Sequence, residues 1–110
     1  MNREEGEKIA RTESLFREVN ERIAETAERF ESEETKFVCE CAEPTCTQRV
    51  EATLQEYEQV RQDGARFLLV KGHEDKRAEA VVRSDGDRAV VEKKHPLVAP
   101  LARKLDPRAA

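Results

Sequence analysis

The apolar positions of the first thirty residues repeat at helical spacing. Ile9, Phe16, Val19, Ile23 and Phe30 follow one another by seven, three, four and seven residues, with Thr12 and Thr26 at the intervening d-like places. The residues around them are mostly Glu, Arg and Ala, all good helix formers. One long amphipathic helix over about 3–31 is predicted. Glu18–Arg22 and Glu25–Arg29 place an acid four residues before a base, a weak additional support. The stripe reads as a dimerising coiled coil or as the inner face of a helix lying on its own sheet. Two threonines in the seam leave both readings open.

Beyond a polar connector at 32–35 the pattern shortens to strand length. Phe37-Val38-Cys39 reads as a strand entering a loop, Glu40 to Thr47, and Arg49-Val50-Glu51-Ala52 as the returning strand. Thr53-Leu54-Gln55-Glu56 is a capping box that opens a short helix presenting Leu54, Tyr57 and Val60. Asp63-Gly64 is expected to end it, with the glycine in the left-handed conformation. Phe67 to Val70 is a continuous apolar run, the mark of a buried strand. Ala80-Val81-Val82 and Ala89-Val90-Val91 flank Ser84-Asp85-Gly86-Asp87, a hairpin signal. Three of the four prolines fall after residue 94, so the C-terminus reads as largely irregular, with a short helix near 97–105.

These elements predict an α+β fold. A long N-terminal amphipathic helix is followed by a small, mostly antiparallel sheet with one crossing helix. The chain divides into an N-terminal helical arm (1–34), a small α+β domain carrying the cysteines (35–93) and a basic, proline-containing tail (94–110).

Composition narrows this picture. Leu, Ile, Val and Phe make up 23 of the 110 residues, and charged residues 40%. A core that thin in a unit of this size usually needs a staple. No apolar run reaches the ~20 residues that span a bilayer, and the charged first residues carry no apolar leader. A cytoplasmic protein without membrane contact is expected. Charge is uneven: eleven acids oppose six bases over 2–34, and one acid opposes five bases over 93–110. The basic tail could touch nucleic acid or the protein's own acidic helix. With no basic stripe elsewhere, a solvated tail is the plainer reading, and nucleic acid is not expected as a partner.

All three cysteines lie in eight residues, Cys39-Glu40-Cys41-Ala42-Glu43-Pro44-Thr45-Cys46. An odd count without a leader argues against a disulfide framework. Residues i and i+2 of a strand face the same way, so Cys39 and Cys41 project together. Pro44 bends the chain and lets Cys46 return. A structural zinc needs four Cys or His ligands in a tetrahedron. His73 is the natural fourth, after the apolar strand and beside Gly72, whose missing side chain permits close backbone approach. His95, before a proline in the tail, is the weaker candidate. Thiolates favour zinc, copper(I) or iron–sulfur clusters over hard cations. A two-iron cluster ranks lower, because Thr47-Gln48-Arg49, without histidine, follows Cys46. The opposing readings are three free thiols and a loop histidine bonded locally.

Phe37-Val38-Cys39-Glu40-Cys41 with Cys46, Glu56-Tyr57-Glu58 with Val60-Arg61, Gly72-His73-Glu74 and Val90-Val91-Glu92-Lys93 together resemble the signature of a family of short uncharacterised bacterial proteins. The segment Glu13 to Ile23 is similar to that family's first helix. The resemblance spans about residues 9–93 and implies a recurrent domain in which Cys39, Cys41, Cys46 and His73 act as a unit. It carries no established activity.

Three functions fit these residues. The first is a non-enzymatic zinc-binding regulatory or interaction module, with a protein partner or a second copy on the N-terminal helix. The second is a thiol-based redox or metal sensor that releases its metal on oxidation. The third is a small metal-dependent enzyme with an open three-cysteine site, for which Glu40, Glu43 or Glu74 would supply an acid or base. No phosphate-binding glycine loop or nucleophile elbow supports the enzyme case.

Overall fold

The computed structural model describes residues 1–109. Its elements run α1 (Arg3–Arg29), β1 (Glu34–Val38), β2 (Arg49–Thr53), α2 (Leu54–Val60), β3 (Arg66–Val70), β4 (Glu79–Asp85), β5 (Arg88–Lys93) and α3 (Val98–Lys104). This is the expected α+β arrangement, a long helix followed by small antiparallel sheets. The strands form two sheets rather than one: β1 pairs with β2, and β3, β5 and β4 lie side by side in that order, all antiparallel. The division has a local cause. Past Val38 the chain leaves β2 and turns toward β3, where the Glu40 N–H donates to the Leu68 carbonyl at 2.9 Å. The cysteine segment is therefore the seam between the sheets.

Local signals act at several ends. The Asn2 side chain accepts from the Glu5 N–H and caps α1. At its other end the Ser32 N–H donates to the Ala27 carbonyl, and Glu31 takes φ +53. That is a Schellman stop with glutamate where glycine is usual. The capping box of α2 forms as expected, with Thr53 and Glu56 bonding reciprocally. Gly64 does not take the left-handed conformation; α2 ends at Arg61, whose φ is −74. What bears on position 64 instead is space: a Cβ there would lie 2.7 Å from Asp106 Oδ2, so any side chain makes Asp106 shift. Gly86, at φ +60, is the first residue of the two-residue loop joining β4 to β5, as a type II′ turn demands. β4 is an outer strand, and its ladder is interrupted between Val81 and Arg83.

The main core gathers Phe37, Val50, Tyr57, Phe67, Leu68, Leu69 and Val91. Phe37 and Tyr57 stack with ring centres 4.4 Å apart. A smaller cluster of Ile9, Ala10, Ala78 and Val98 joins α1 to α3. The buried face of α1 meets the apolar stripe only along one edge, where Ile9 is buried and Phe16 and Ile23 are half-buried. It is Gly6, Ala10, Glu13, Arg17, Asn20, Ala24 and Ala27, at alternating spacings of four and three, with Ile9 and Ser14 beside it. Leu15, Val19 and Phe30 stand exposed on the outer side, Phe30 at 72%. Small residues at both ends of the inner face let α1 sit close; Gly6 approaches Leu97 and Val98 of the α3 entry. Neither Glu18–Arg22 nor Glu25–Arg29 closes into an ion pair among the described residues; α1 pairs instead with distant elements through Glu21.

The three long polar side chains on that inner face each find partners. Arg17 donates to the carbonyls of Gly64, at 2.6 Å, and Ala102, at 2.8 Å. Its guanidinium lies 4.5 Å from the centre of the Phe67 ring. Glu13 meets Lys93, which also binds Glu79, and all three are shut off from solvent. Asn20 faces the cysteine segment. The C-terminal residues are held too: Arg61, buried, bridges Glu21 and Asp106, and Arg108 reaches Glu21 and Glu58. The expected solvated tail is corrected: α3 buries Val98, Ala99 and Ala102, and Arg108 reaches Glu21 on the acidic helix.

Two outcomes test this account of α1. Lys93→Met removes the cation between two buried carboxyls, and urea unfolding should show a loss of about 3–5 kcal/mol; a loss under about 1 kcal/mol contradicts the burial of the triad. Burial raises the Glu13 carboxyl from 4.5 to about 7, against the pull of Lys93. The folded state therefore holds this proton where the unfolded chain has lost it. Glu13's contribution to stability falls as pH rises from 4.5 to about 7 and is level above that. Glu13→Gln should lack this decline, so its stability relative to wild type rises across that window; a flat difference refutes the assignment.

Candidate metal centre

Two short turns bring four ligand atoms together. The first is the segment 39–46. Backbone alternation continues past β1, so Cys39 and Cys41 project to one side while Glu40 between them points into the core. The chain then reverses: the Cys46 N–H donates to the Glu43 carbonyl at 3.0 Å. Glu43 braces this turn by accepting from the Thr45 N–H at 3.1 Å and from its hydroxyl at 2.7 Å. Cys46 thereby returns to its two neighbours. The second turn follows β3. The His73 N–H donates to the Val70 carbonyl at 3.0 Å across Lys71-Gly72, with Gly72 at φ +93. That is the third position of a type II turn, which requires a residue such as glycine. The expectation that Gly72 permits close backbone approach is corrected here: a Cβ would meet open space, and the residue serves the turn.

Cys39, Cys41, Cys46 and His73 place one ligand atom each within 4.8 Å of all the others. The His73 Nδ1 lies 3.5 Å from the Cys39 sulfur and 3.7 Å from that of Cys46. Zn–S bonds of about 2.3 Å and Zn–N bonds of about 2.0 Å set ligand atoms at two corners of a tetrahedron roughly 3.5–3.8 Å apart. The two nitrogen–sulfur spacings match that edge. The other histidine, His95, is elsewhere; its Nδ1 accepts from the Leu97 N–H at the entry to α3.

The thiols differ in environment. Cys39 and Cys41 are buried at 1% exposure, while Cys46 and His73 are half-buried at the rim. The Cys39 sulfur accepts from the Val70 N–H at 3.2 Å, a bond that suits a thiolate. Hydrogen bonding from the Cys39 thiol pulls Cys41 down to about 5, helped by donors at Glu43 and His73. The same shared proton, together with burial, pushes Cys39 up, and burial raises Cys46.

Of the three glutamates considered as acids or bases, Glu40 is fully buried and committed to hydrogen bonds, so it cannot serve the metal face. Glu43 holds its turn. Glu74 follows His73 directly, with one carboxylate oxygen buried and unpartnered. What motif reading missed is the second layer: Asn20, Tyr57 and the inward side chain of Glu40. A charged residue inside Phe37-Val38-Cys39-Glu40-Cys41 was the available signal, since a core-bound strand does not carry an acid without a partner for it.

In metal-free protein the half-exposed Cys46 should react first with a thiol reagent, and one bound zinc should slow all three cysteines together. Timed alkylation read by mass spectrometry checks this. Equal rates at the three positions, unchanged by zinc, would deny a common site.

No family model matches the chain, and no curated protein or solved structure matches it either, so its chemistry is read from these four side chains.

Proposed function

We propose that this protein is a small zinc-binding module whose Cys39, Cys41, Cys46 and His73 close around a structural ion. The supporting observation is the spacing of the histidine nitrogen to two sulfurs, 3.5 and 3.7 Å, at the edge length of a zinc tetrahedron. Four protein donors leave no open position, which favours a structural over a catalytic ion. The ion joins the seam between the sheets to the turn after β3, where a thin core has most to gain. A reducing, cytoplasmic setting, in which thiols persist, belongs to this reading. So does the resemblance to a family of short bacterial proteins sharing the cysteine and histidine pattern.

The regulatory or interaction part of the proposal rests on the outer face of α1. Leu15, Val19 and Phe30 stand in solvent there, and Val19 and Ile23 border a groove against Thr35 and Lys36 of β1. A protein partner or a second copy would cover this face. A redox-sensing reading is favoured by the half-exposed Cys46, where an oxidant would reach the sulfurs first and release the ion.

Elemental analysis of protein purified from zinc-supplemented medium should find about one zinc per chain. Cys41→Ser should lose it, and His73→Ala should weaken it. At free zinc a thousandfold above Kd, binding adds about 4 kcal/mol. Chelation should then lower Tm by roughly 15 °C or more for a domain of this size. Zinc content near zero, with Tm indifferent to chelator, rejects the proposal.

A further inference from the structure

Glu40 is the residue enclosed by two ligands, and its side chain turns away from the metal site into the core, where it is fully buried. Its carboxylate receives three donors. Oε1 accepts from the Leu68 N–H at 2.8 Å; Oε2 accepts from the Asn20 amide at 2.9 Å and the Tyr57 hydroxyl at 2.9 Å. Asn20, on the inner face of α1, also holds the residue on the other side of Cys39. Its Oδ1 accepts from the Val38 N–H at 2.8 Å and its Nδ2 donates to the Val38 carbonyl at 2.9 Å. A helix side chain thus occupies the place a neighbouring strand would take. The two residues flanking Cys39 are fixed from one point on α1, and the one between the cysteines is fixed from three.

We infer that Asn20 and Glu40 are positioning residues for the metal ligands, presetting the Cys39–Cys41 pair and tying its geometry to the seat of α1. The inference deepens the zinc reading and rests on it. Its physical content is the alternation of the chain. With the Glu40 side chain pinned to one side, Cys39 and Cys41 project together to the other, toward Cys46 and His73; if Glu40 rotates, the sulfurs separate. An apolar residue would fill the same space, but it could not answer the Leu68 N–H, the Asn20 amide and the Tyr57 hydroxyl, three donors aimed at one point. Glutamine would not suffice either, because its amide would turn a donor toward one of them. Groups that orient ligands in this way commonly contribute 10–100-fold to metal affinity.

The experiment is a titration of the full chain with zinc against a chromophoric chelator, with cobalt(II) spectra in parallel. Wild type should show sulfur-to-cobalt charge transfer and the intense visible bands of a tetrahedral ion. Asn20→Ala and Glu40→Gln should each lose about tenfold or more in zinc affinity, and their cobalt bands should shift or weaken. Tyr57→Phe, which removes one donor of three, should show the same change to a smaller degree. Asn2→Ala, which removes the exposed cap of α1, should lower stability while leaving affinity and bands as in wild type. Should Asn20→Ala fail to fold, Glu40→Gln and Tyr57→Phe carry the test. Wild-type affinity and bands in the Asn20 and Glu40 variants overturn the positioning role and leave the zinc reading standing. An equal loss in Asn2→Ala overturns it too, by showing that any destabilisation suffices. A wild-type chain without the cobalt signature overturns the zinc reading itself.

Discussion

A long helix that turns Glu13, Arg17 and Asn20 toward a protein interior has very few places to lie. Each of these groups would cost several kcal/mol if buried without a partner. Glu13 needs a cation, Arg17 needs carbonyls and Asn20 needs a backbone with both groups free. Lys93 on β5, the carbonyls of Gly64 and Ala102, and Val38 at the end of β1 meet those needs in turn along one face. Apolar packing alone would tolerate a helix shifted or rotated by a few ångströms. Three partnered polar groups spaced over two turns do not. The alanines and glycine at the ends of the face contribute closeness, and the polar centre contributes register.

The same constraint organises the rest of the molecule. Phe67 is flanked by Arg17 and Lys93, so the start of β3 is packed against charge as well as against carbon. Arg61 and Arg108 bring the C-terminal segment onto α1 and α2 through Glu21, Asp106 and Glu58. The cysteine segment is caught between α1 and β3 and gathers three sulfurs on the side away from Glu40. The buried polar network and the sulfur cluster are two faces of a single strip of chain, and the strip holds two sheets together.

Much of this was legible in the sequence, for reasons tied to particular residues. The capping box at Thr53 and Glu56, the hairpin around Gly86 and the apolar run Phe67 to Val70 carry local signals that act over three or four residues, and the structure follows them. The cysteine cluster was legible because soft ligands are rare and close spacing narrows what they can share. The inner face of α1 was not legible. An apolar stripe is the usual guide to a buried face, but here Leu15, Val19 and Phe30 point outward while Glu13, Arg17 and Asn20 point in. Their partners lie from 18 to 85 residues away, and helical periodicity is blind to contacts of that range. The role of Gly64 was missed for a similar reason: its constraint comes from Asp106, at the opposite end of the chain.

The outermost strand, β4, leaves one row of amides and carbonyls without a neighbour, and Val81 and Val82 stand uncovered on it. A straight ribbon of that kind would be a template on which other molecules could stack into fibrils. The irregularity between Val81 and Arg83 breaks the rhythm of the ribbon at its middle, and Arg83 and Asp85 add charge beyond it. An incoming segment would meet that change of register in the middle of the strand. The kink therefore acts as a safeguard for colloidal solubility, placed where a sheet this small has no further strand to cover its flank.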